Sequence, residues 1–488
     1  MVGPAERITS RLIDGFYARS DEHSPMTEEY RVERDSIGEI QVPADALWGA
    51  QTQRAVKNFP ISGVTFGRRF IRALGVVKQA AARANGDLGM IDDAIAAAID
   101  EAAAEVIRGD HDDQFPVDVF QTGSGTSSNM NANEVIAHLA DERVEADVHP
   151  NDHVNFGQSS NDVIPTAMHV ASLLALEEDV IPALERLRDA LGEQEAAFAG
   201  VVKTGRTHLQ DATPVTLGQE FGGYRTQIEH GLNRVNQATD ELAPLALGGT
   251  AVGTGLNTHE DFASLAATYI SEIAGVDVHE APDHFEAQAA HDAMGQAHAA
   301  LRTVAGSLTK IANDLRLLAS GPRNGLEELT QPENQPGSSI MPGKVNPVVA
   351  EAINQVHVQV VGNDAAICAG AAGGQLELNL YKPVLAHNFL ESARLIANGS
   401  EVFADRFVAN LEANRERCEE QVEWSMALAT SLNPHIGYDK AAETAKAALA
   451  EDKTVREVAI EKGYLTPEEA DDVLDPAKMT TPGILGED

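Results

Sequence analysis

At 488 residues the chain is longer than one domain usually runs, and its 43% of apolar residues is interrupted throughout by Asp and Glu. No continuous apolar run approaches the roughly 20 residues that cross a bilayer, and the N-terminal stretch lacks the basic start and apolar core of a secretion signal. A soluble, cytoplasmic protein without a membrane partner is therefore expected. The balance of 75 acidic against 36 basic residues, a formal net charge of -39, excludes nucleic acid as a partner because such a surface repels phosphate.

That charge strains a compact state in dilute buffer, whereas at about 1 M salt the screening length falls to roughly 3 Å. The composition reads as halophilic, a merely acidic protein of ordinary cytosol being the alternative. An acidic protein that takes an anionic ligand also needs a local positive focus inside its site. Cys368 and Cys418 lie in helical-looking segments away from other ligand-type residues, so neither a disulfide framework nor a zinc site is suggested and both read as buried thiols.

Residues 1–25 are polar and without pattern, and read as a disordered extension or as a start misassigned upstream of Met26. Structured sequence begins after them. Apolar spacing is helical from about 66 to 108, and loops rich in Gly, Ser, Asn and Asp follow. The stretch 162–198 repeats apolar residues at Val163, Ala167, Val170, Leu173, Leu176, Val180, Leu184, Leu187 and Leu191, the spacing of a long helix with one buried stripe. Pro165 fits its first turn. Similar patterns cover about 215–241, 285–319, 348–370 and 384–412, which makes five long helices with Gly- and Pro-rich breaks between them. The fold class is all-α, a bundle whose several apolar faces suggest packing against other subunits. From about 414 the pattern changes to short helices and turns. The resulting division is 26–157, 158–413 and a small helical domain 414–488.

Four segments carry chemistry. In QTGSGTSSNMNANEV (121–135), Ser124, Gly125 and Thr126 precede a helix start whose amides and hydroxyls suit a carboxylate. GQSSNDVIPT (157–166) repeats the arrangement with Ser159, Ser160 and Asn161. An ordinary capped helix start reads the same way in each case. In KTGRTHLQDATP (203–214), His208 follows Thr207 between two helical segments, placed to act as an acid or base near neutral pH or to serve a structural end. QPGSSIMPGKVNP (335–347) is a loop that neither helix nor strand tolerates. Ser338, Ser339, Lys344 and Asn346 give it hydroxyls, a cation and an amide, and its peptide groups are able to converge on one anion; an inert inter-helix loop is the alternative. Glu351, in the first turn of the next helix, can pair with an imidazolium or simply favour the helix dipole.

Other features read as incidental. GGTAVGTG (248–255) resembles a dinucleotide fingerprint but has no preceding strand, so it reads as a turn. HPNDH (149–153) falls short of a metal-site pattern, and the aromatic residues around Phe156 and Tyr381 read as packing.

With GSSIMPGKVNP, HPNDHVN, QSSND, GRTHLQDATP, LGGTAVGTGLNTH, residues 377–383 and LNPHIGYDKAA in view, the chain resembles the class II fumarase branch of the fumarase/aspartase superfamily from about residue 27 to 480. The resemblance implies a mainly helical fold of three domains, with a central five-helix bundle that forms the twenty-helix core of a homotetramer. It implies fumarate hydration to (S)-malate in the tricarboxylic acid cycle, a small dicarboxylate as substrate, and active sites shared by three subunits. Ser338 would be the base that takes the C3 proton of malate, giving an aci-carboxylate. His208 paired with Glu351 would handle water on the opposite face. Ser124, Gly125, Thr126, Ser159, Ser160, Asn161, Thr207, Ser339, Lys344, Val345 and Asn346 would bind substrate. No metal and no other cofactor is implied. Many relatives have a second dicarboxylate site where this chain has His149, Pro150, Asn151 and Asp152, but the basic residues that precede it in them are replaced here by Ala146 and Asp147, which argues against that site. Aspartase is the nearest rival and is disfavoured by His208 and Gly343. Argininosuccinate and adenylosuccinate lyases resemble the chain less outside the loop. An inactive structural relative is disfavoured because Ser338, His208, Lys344, Asn346 and Glu351 are all present.

Overall fold

The computed structural model describes residues 29–486, so the reading of residues 1–25 lies outside them. The first elements are strands rather than helices. β1 (Tyr30–Asp35) and β2 (Gly38–Pro43) pair antiparallel, with exposed and partly buried residues alternating along each; that period of two is the signature of a half-covered hairpin. α1 (Ala50–Asn58) follows. Its N-terminal amides are satisfied from another helix, since the Glu134 carboxylate accepts the N–H groups of Gly49, Gln51 and Thr52 at 2.9, 2.9 and 3.1 Å.

The helical spacing of 66–108 resolves into α2 (Arg68–Asp87) and α3 (Asp93–Arg108), parted at Gly89, which takes a positive φ. They pack on each other, and α3 packs on α4 (Thr126–Asp141). The stripe of 162–198 forms α5 (Ser160–Ala175) and α6 (Ile181–Ala197), joined by a π-helical turn at Leu176–Val180. Pro165 is the sixth residue of α5, beyond the first turn expected for it. After α6 the chain makes a second antiparallel hairpin, β3 (Val202–Thr207) and β4 (Gln210–Thr216). His208 therefore sits at a hairpin tip and not simply between two helices.

α7 (Leu217–Leu242) and α8 (Phe262–Ala274) come next. The helix expected over 285–319 is two, α9 (His284–Ala289) and α10 (Asp292–Leu318), because Ala290 is extended. α11 (Val348–Ala371) matches its expectation, while α12 (Lys382–Arg406) stops short of 412, where a 3-10 turn at Val408–Asn410 takes over. α6, α7, α10, α11 and α12 close a ring, each packing on the next. The buried positions of α10, among them Met294, Ala297, Leu301, Val304, Leu308, Ile311 and Leu315, follow the three-four spacing that puts one stripe inside. Five shorter helices end the chain: α13 (Arg415–Glu423), α14 (Asn433–Ile436), α15 (Tyr438–Glu451), α16 (Val455–Glu461) and α17 (Pro467–Val473). One apolar cluster runs from Phe66 to Cys418, and a separate smaller one gathers Leu428, Leu432, Val455, Val458 and Leu474.

α11 is apolar on nearly every side. Val358 and Val361 are 71% and 44% exposed, and Ala365, Cys368 and Ala369 continue that face. Cys368 thus departs from the expected burial, whereas Cys418 is buried and its thiol is pushed up to about 12 by that burial. A helix with apolar residues all round belongs inside something larger.

Candidate active site

The two hydroxyl-rich segments meet at the N-termini of α4 and α5. Gly125, the residue before α4, has φ 79, and a Cβ there would lie 2.8 Å from the Ile164 side chain of α5, so only glycine allows the two helix starts to approach. Ser124 is buried and its hydroxyl is 2.7 Å from that of Thr126. Ser159 caps α5, its Oγ accepting the Asn161 N–H, and Asp162 returns the bond by accepting the Ser159 N–H at 2.8 Å. The two bonds make a capping box at the start of α5. Asn129 ties the segments together by donating to the Ser160 hydroxyl at 3.0 Å.

The turn at 248–255 proves to be a wall of this site. Asp162 accepts from the N–H groups of Gly248 and Thr250 at 3.1 and 2.9 Å, and Asn161 donates to the Ala251 carbonyl at 2.8 Å. An open cleft of about 630 Å³ borders it, with Ser159, Thr250, Ala251, Asn155, Gln158 and Asp152 among its lining residues. Below the cleft, fully buried Lys78 donates to Asn155 and Gln158, both at 2.9 Å. Burial pulls Lys78 down to about 7 against the opposing charge of Asp162. The same burial pushes Asp162 up to about 6, against its backbone hydrogen bonds and the charge of Lys78.

The hairpin tip is a separate group. His208 and Leu209 have φ of 57 and 59 between paired Thr207 and Gln210, a two-residue turn in which both central residues are left-handed. Non-glycine residues in that region cost about 1–3 kcal/mol each and persist where the surroundings fix them. Charge pairs along β3 tie the hairpin to α7 and to Glu328. Buried Lys203 lies 2.8 Å from Glu220 and 3.1 Å from buried Glu328, and Arg206 lies 2.8 Å from Glu328. The Glu328 oxygens meet these charges without an aligned hydrogen bond, so the cluster fixes geometry more than it adds stability.

The third group is the loop 338–346. The Gly337 N–H donates to the Lys344 carbonyl at 2.8 Å and Asn346 Nδ2 to the Gly337 carbonyl at 2.6 Å, which closes the loop on itself. Inside it the Ser338 Oγ accepts the N–H groups of Ile340 and Met341 at 3.2 and 2.9 Å. Ser339 and Lys344 are exposed, Val345 is half-buried, and Glu351 stands in the first turn of α11. Among the described residues no hydrogen bond or ion pair joins this loop, the hairpin tip and the cradle at 124–126 and 159–161 to one another. The expected pairing of His208 with Glu351 is accordingly not made within one chain.

Around 149–152 the polar groups are already engaged. His149 Nδ1 accepts the N–H groups of Asn151 and Asp152 at 3.3 and 3.1 Å, and Pro150 opens the π-helical turn Pro150–Val154. Tyr381 is 49% exposed, which departs from the packing role expected of it, while Phe156 packs on the core.

The chain matches the family described as Lyase over residues 38–362 and the one described as Fumarase C C-terminus over 428–481. It is 72% identical over 468 residues to a class II fumarate hydratase of Halobacterium salinarum, spanning 95% of this chain and 100% of that relative. The chain belongs to the class II fumarate hydratase family. A Nitrosomonas europaea class II fumarate hydratase is 55% identical over 93% of the chain and 99% of its own length. The crystal structure of class II fumarase from Schistosoma mansoni superposes with a TM-score of 0.90 at 40% identity, covering 93% of this chain and 100% of that one.

Within this fumarate hydratase fold, the sequence alone did not single out Lys78, Asp162 or Lys382, which surround the cradle. One signal was available for Lys382. Pro165 lacks an N–H, so the carbonyl four residues earlier, that of Asn161, needs another donor.

Proposed function

We propose that the chain catalyses the reversible addition of water to fumarate, giving (S)-malate, in the cytoplasm and as a homotetramer whose sites draw on three subunits. The observation that carries the reaction is the 72% identity to a class II fumarate hydratase along essentially its whole length. The three separated groups and the unpartnered apolar face of α11 support the shared site. Each group is complete in itself, yet none brings a base, an acid and an anion cradle together.

In this reading Ser124, Gly125, Thr126, Ser159, Ser160, Asn161 and Thr207 hold the carboxylates, and Ser338 removes the C3 proton of malate. Serine is a weak base and an α-carboxylate proton a weak acid, so both developing charges need support. Two amides already donate to the Ser338 Oγ, which favours its alkoxide. Lys344, Asn346 and the peptide groups around Ser339 and Val345 stabilise the aci-carboxylate, each oxyanion donor being worth about 10²–10³ in rate. His208, oriented by Glu351 of another subunit, activates water or assists departing hydroxide on the far face.

Fumarate absorbance followed in molar KCl tests the reading, with water alone or with ammonium added. Loss of fumarate in water, with malate as product, is expected. Turnover with ammonium and none with water would assign the chain to ammonia-lyase chemistry instead.

A further inference from the structure

Residues 377–383 have no part in the chemistry just described, yet one of them touches both halves of the carboxylate cradle. Lys382 opens α12 and is fully buried. Its backbone N–H donates to the Gly123 carbonyl at 3.2 Å, and its ammonium donates to the Asn161 carbonyl at 3.0 Å. The first contact uses an amide that the start of a helix always leaves free. The second uses a carbonyl that α5 leaves free, because its helical partner would be the N–H of residue 165 and that residue is proline. The approach on the Gly123 side is close: a Cβ at Gly123 would lie 1.9 Å from the Leu380 carbonyl oxygen.

Asn161 is thereby held from two directions, by Lys382 at its carbonyl and by Ala251 at its side chain. We propose that Lys382 is a positioning residue for the reaction, setting the spacing between Ser124–Thr126 and Ser159–Asn161 so that a four-carbon dianion fits both, while its buried charge gives the cradle a positive focus. Burial draws Lys382 down to about 7, and the charge of Asp162 opposes that fall. Lys78 interacts with Asp162 as well, so two buried lysines share one buried carboxylate near the cradle. A bound dianion favours the protonated forms of both lysines, and two ammonium groups beside one carboxylate are the local excess of positive charge that a chain of net charge -39 needs to hold it.

The inference rests on the hydratase reading for the identity of the dianion and can be tested apart from it. Succinate, a four-carbon dianion that cannot be hydrated, is titrated by calorimetry into the full-length assembly in molar KCl, alongside malate kinetics. Lys382→Met is expected to weaken succinate binding and raise the malate KM by roughly 10- to 100-fold, the range for losing one charge-assisted hydrogen bond from the displaced cradle to a carboxylate. kcat at saturation should fall less than about tenfold, because the lost interaction is made in ground and transition states alike. Adding Pro165→Ala to that variant restores an N–H for the Asn161 carbonyl and should recover at least about threefold of the affinity. Succinate binding unchanged in Lys382→Met, or a loss that Pro165→Ala leaves untouched, overturns the proposal. Should Lys382→Met fail to assemble, Lys382→Leu, which also removes both the donor and the charge, carries the same comparison with and without Pro165→Ala. A wild type that binds succinate but does not hydrate fumarate defeats the hydratase reading alone, and the succinate comparison still decides the role of Lys382.

Discussion

The Oγ of Ser338 accepts the backbone N–H of Met341 at 2.9 Å, with Ile340 as a second, longer donor. A hydroxyl whose oxygen already receives two amides is better able to carry negative charge than one in water. Ser338→Ala removes that oxygen while leaving the Gly337–Lys344 and Asn346–Gly337 bonds that close the loop. The expected result is an intact assembly with turnover reduced by about 10²–10⁴, the range for losing a general base, read by fumarate absorbance. Near-normal rates would take Ser338 out of the base role.

His208 requires a substitution that spares the turn. Its φ of 57 suits Asn, which tolerates the left-handed region better than most side chains. His208→Asn should therefore keep the hairpin, with circular dichroism and assembly as in the wild type, and lose about 10²–10⁴ in kcat. A variant that retains full activity would show that the imidazole plays no part in the reaction.

Cys368 and Cys418 report on assembly. If α11 is covered by other subunits, a thiol reagent should label neither cysteine in the native protein at molar KCl. After dissociation in dilute buffer Cys368 should react first, since it is exposed on the single chain and Cys418 is buried. Rapid labelling of Cys368 in the native state would argue that its face is free.

The excess of acidic groups predicts strong salt dependence. Lowering KCl from molar to about 0.01 M extends the screening length from about 3 Å to about 30 Å, so the thermal midpoint should drop steeply on dilution. Equal midpoints in the two conditions would remove the halophilic reading.

Lys382 also makes a prediction about pH. Its pKa is about 7 in the folded chain against an ordinary 10.5. Between those values the unfolded state holds a proton that the folded state has released. For this group, stability therefore rises with pH from about 7 to 10.5 and is lost as pH falls through 7. Wild-type denaturation midpoints in molar KCl, compared with those of Lys382→Met, should show the wild type gaining on the variant between pH 7 and 9. Parallel profiles would mean that the buried lysine does not titrate in that window.

The sequence by itself determined a good deal. Apolar residues three and four apart marked the long helices, because a helix buries one side at that spacing and nothing distant is needed to see it. The loop around Ser338 was visible as well, since no regular element accommodates its prolines and glycines. The two hairpins were not visible, because their strands are short and largely polar and take the strand form by pairing with each other. The breaks at Ala290 and Phe407 were not visible either. What only the tertiary structure decided is the surroundings of the cradle. Lys382 and Asn161 are 221 residues apart, and a buried lysine reads in sequence like any exposed one. Its role follows from a carbonyl that Pro165 leaves without a partner and from an enclosure that no local pattern encodes, because desolvation and long-range contact come into being only when the chain is folded.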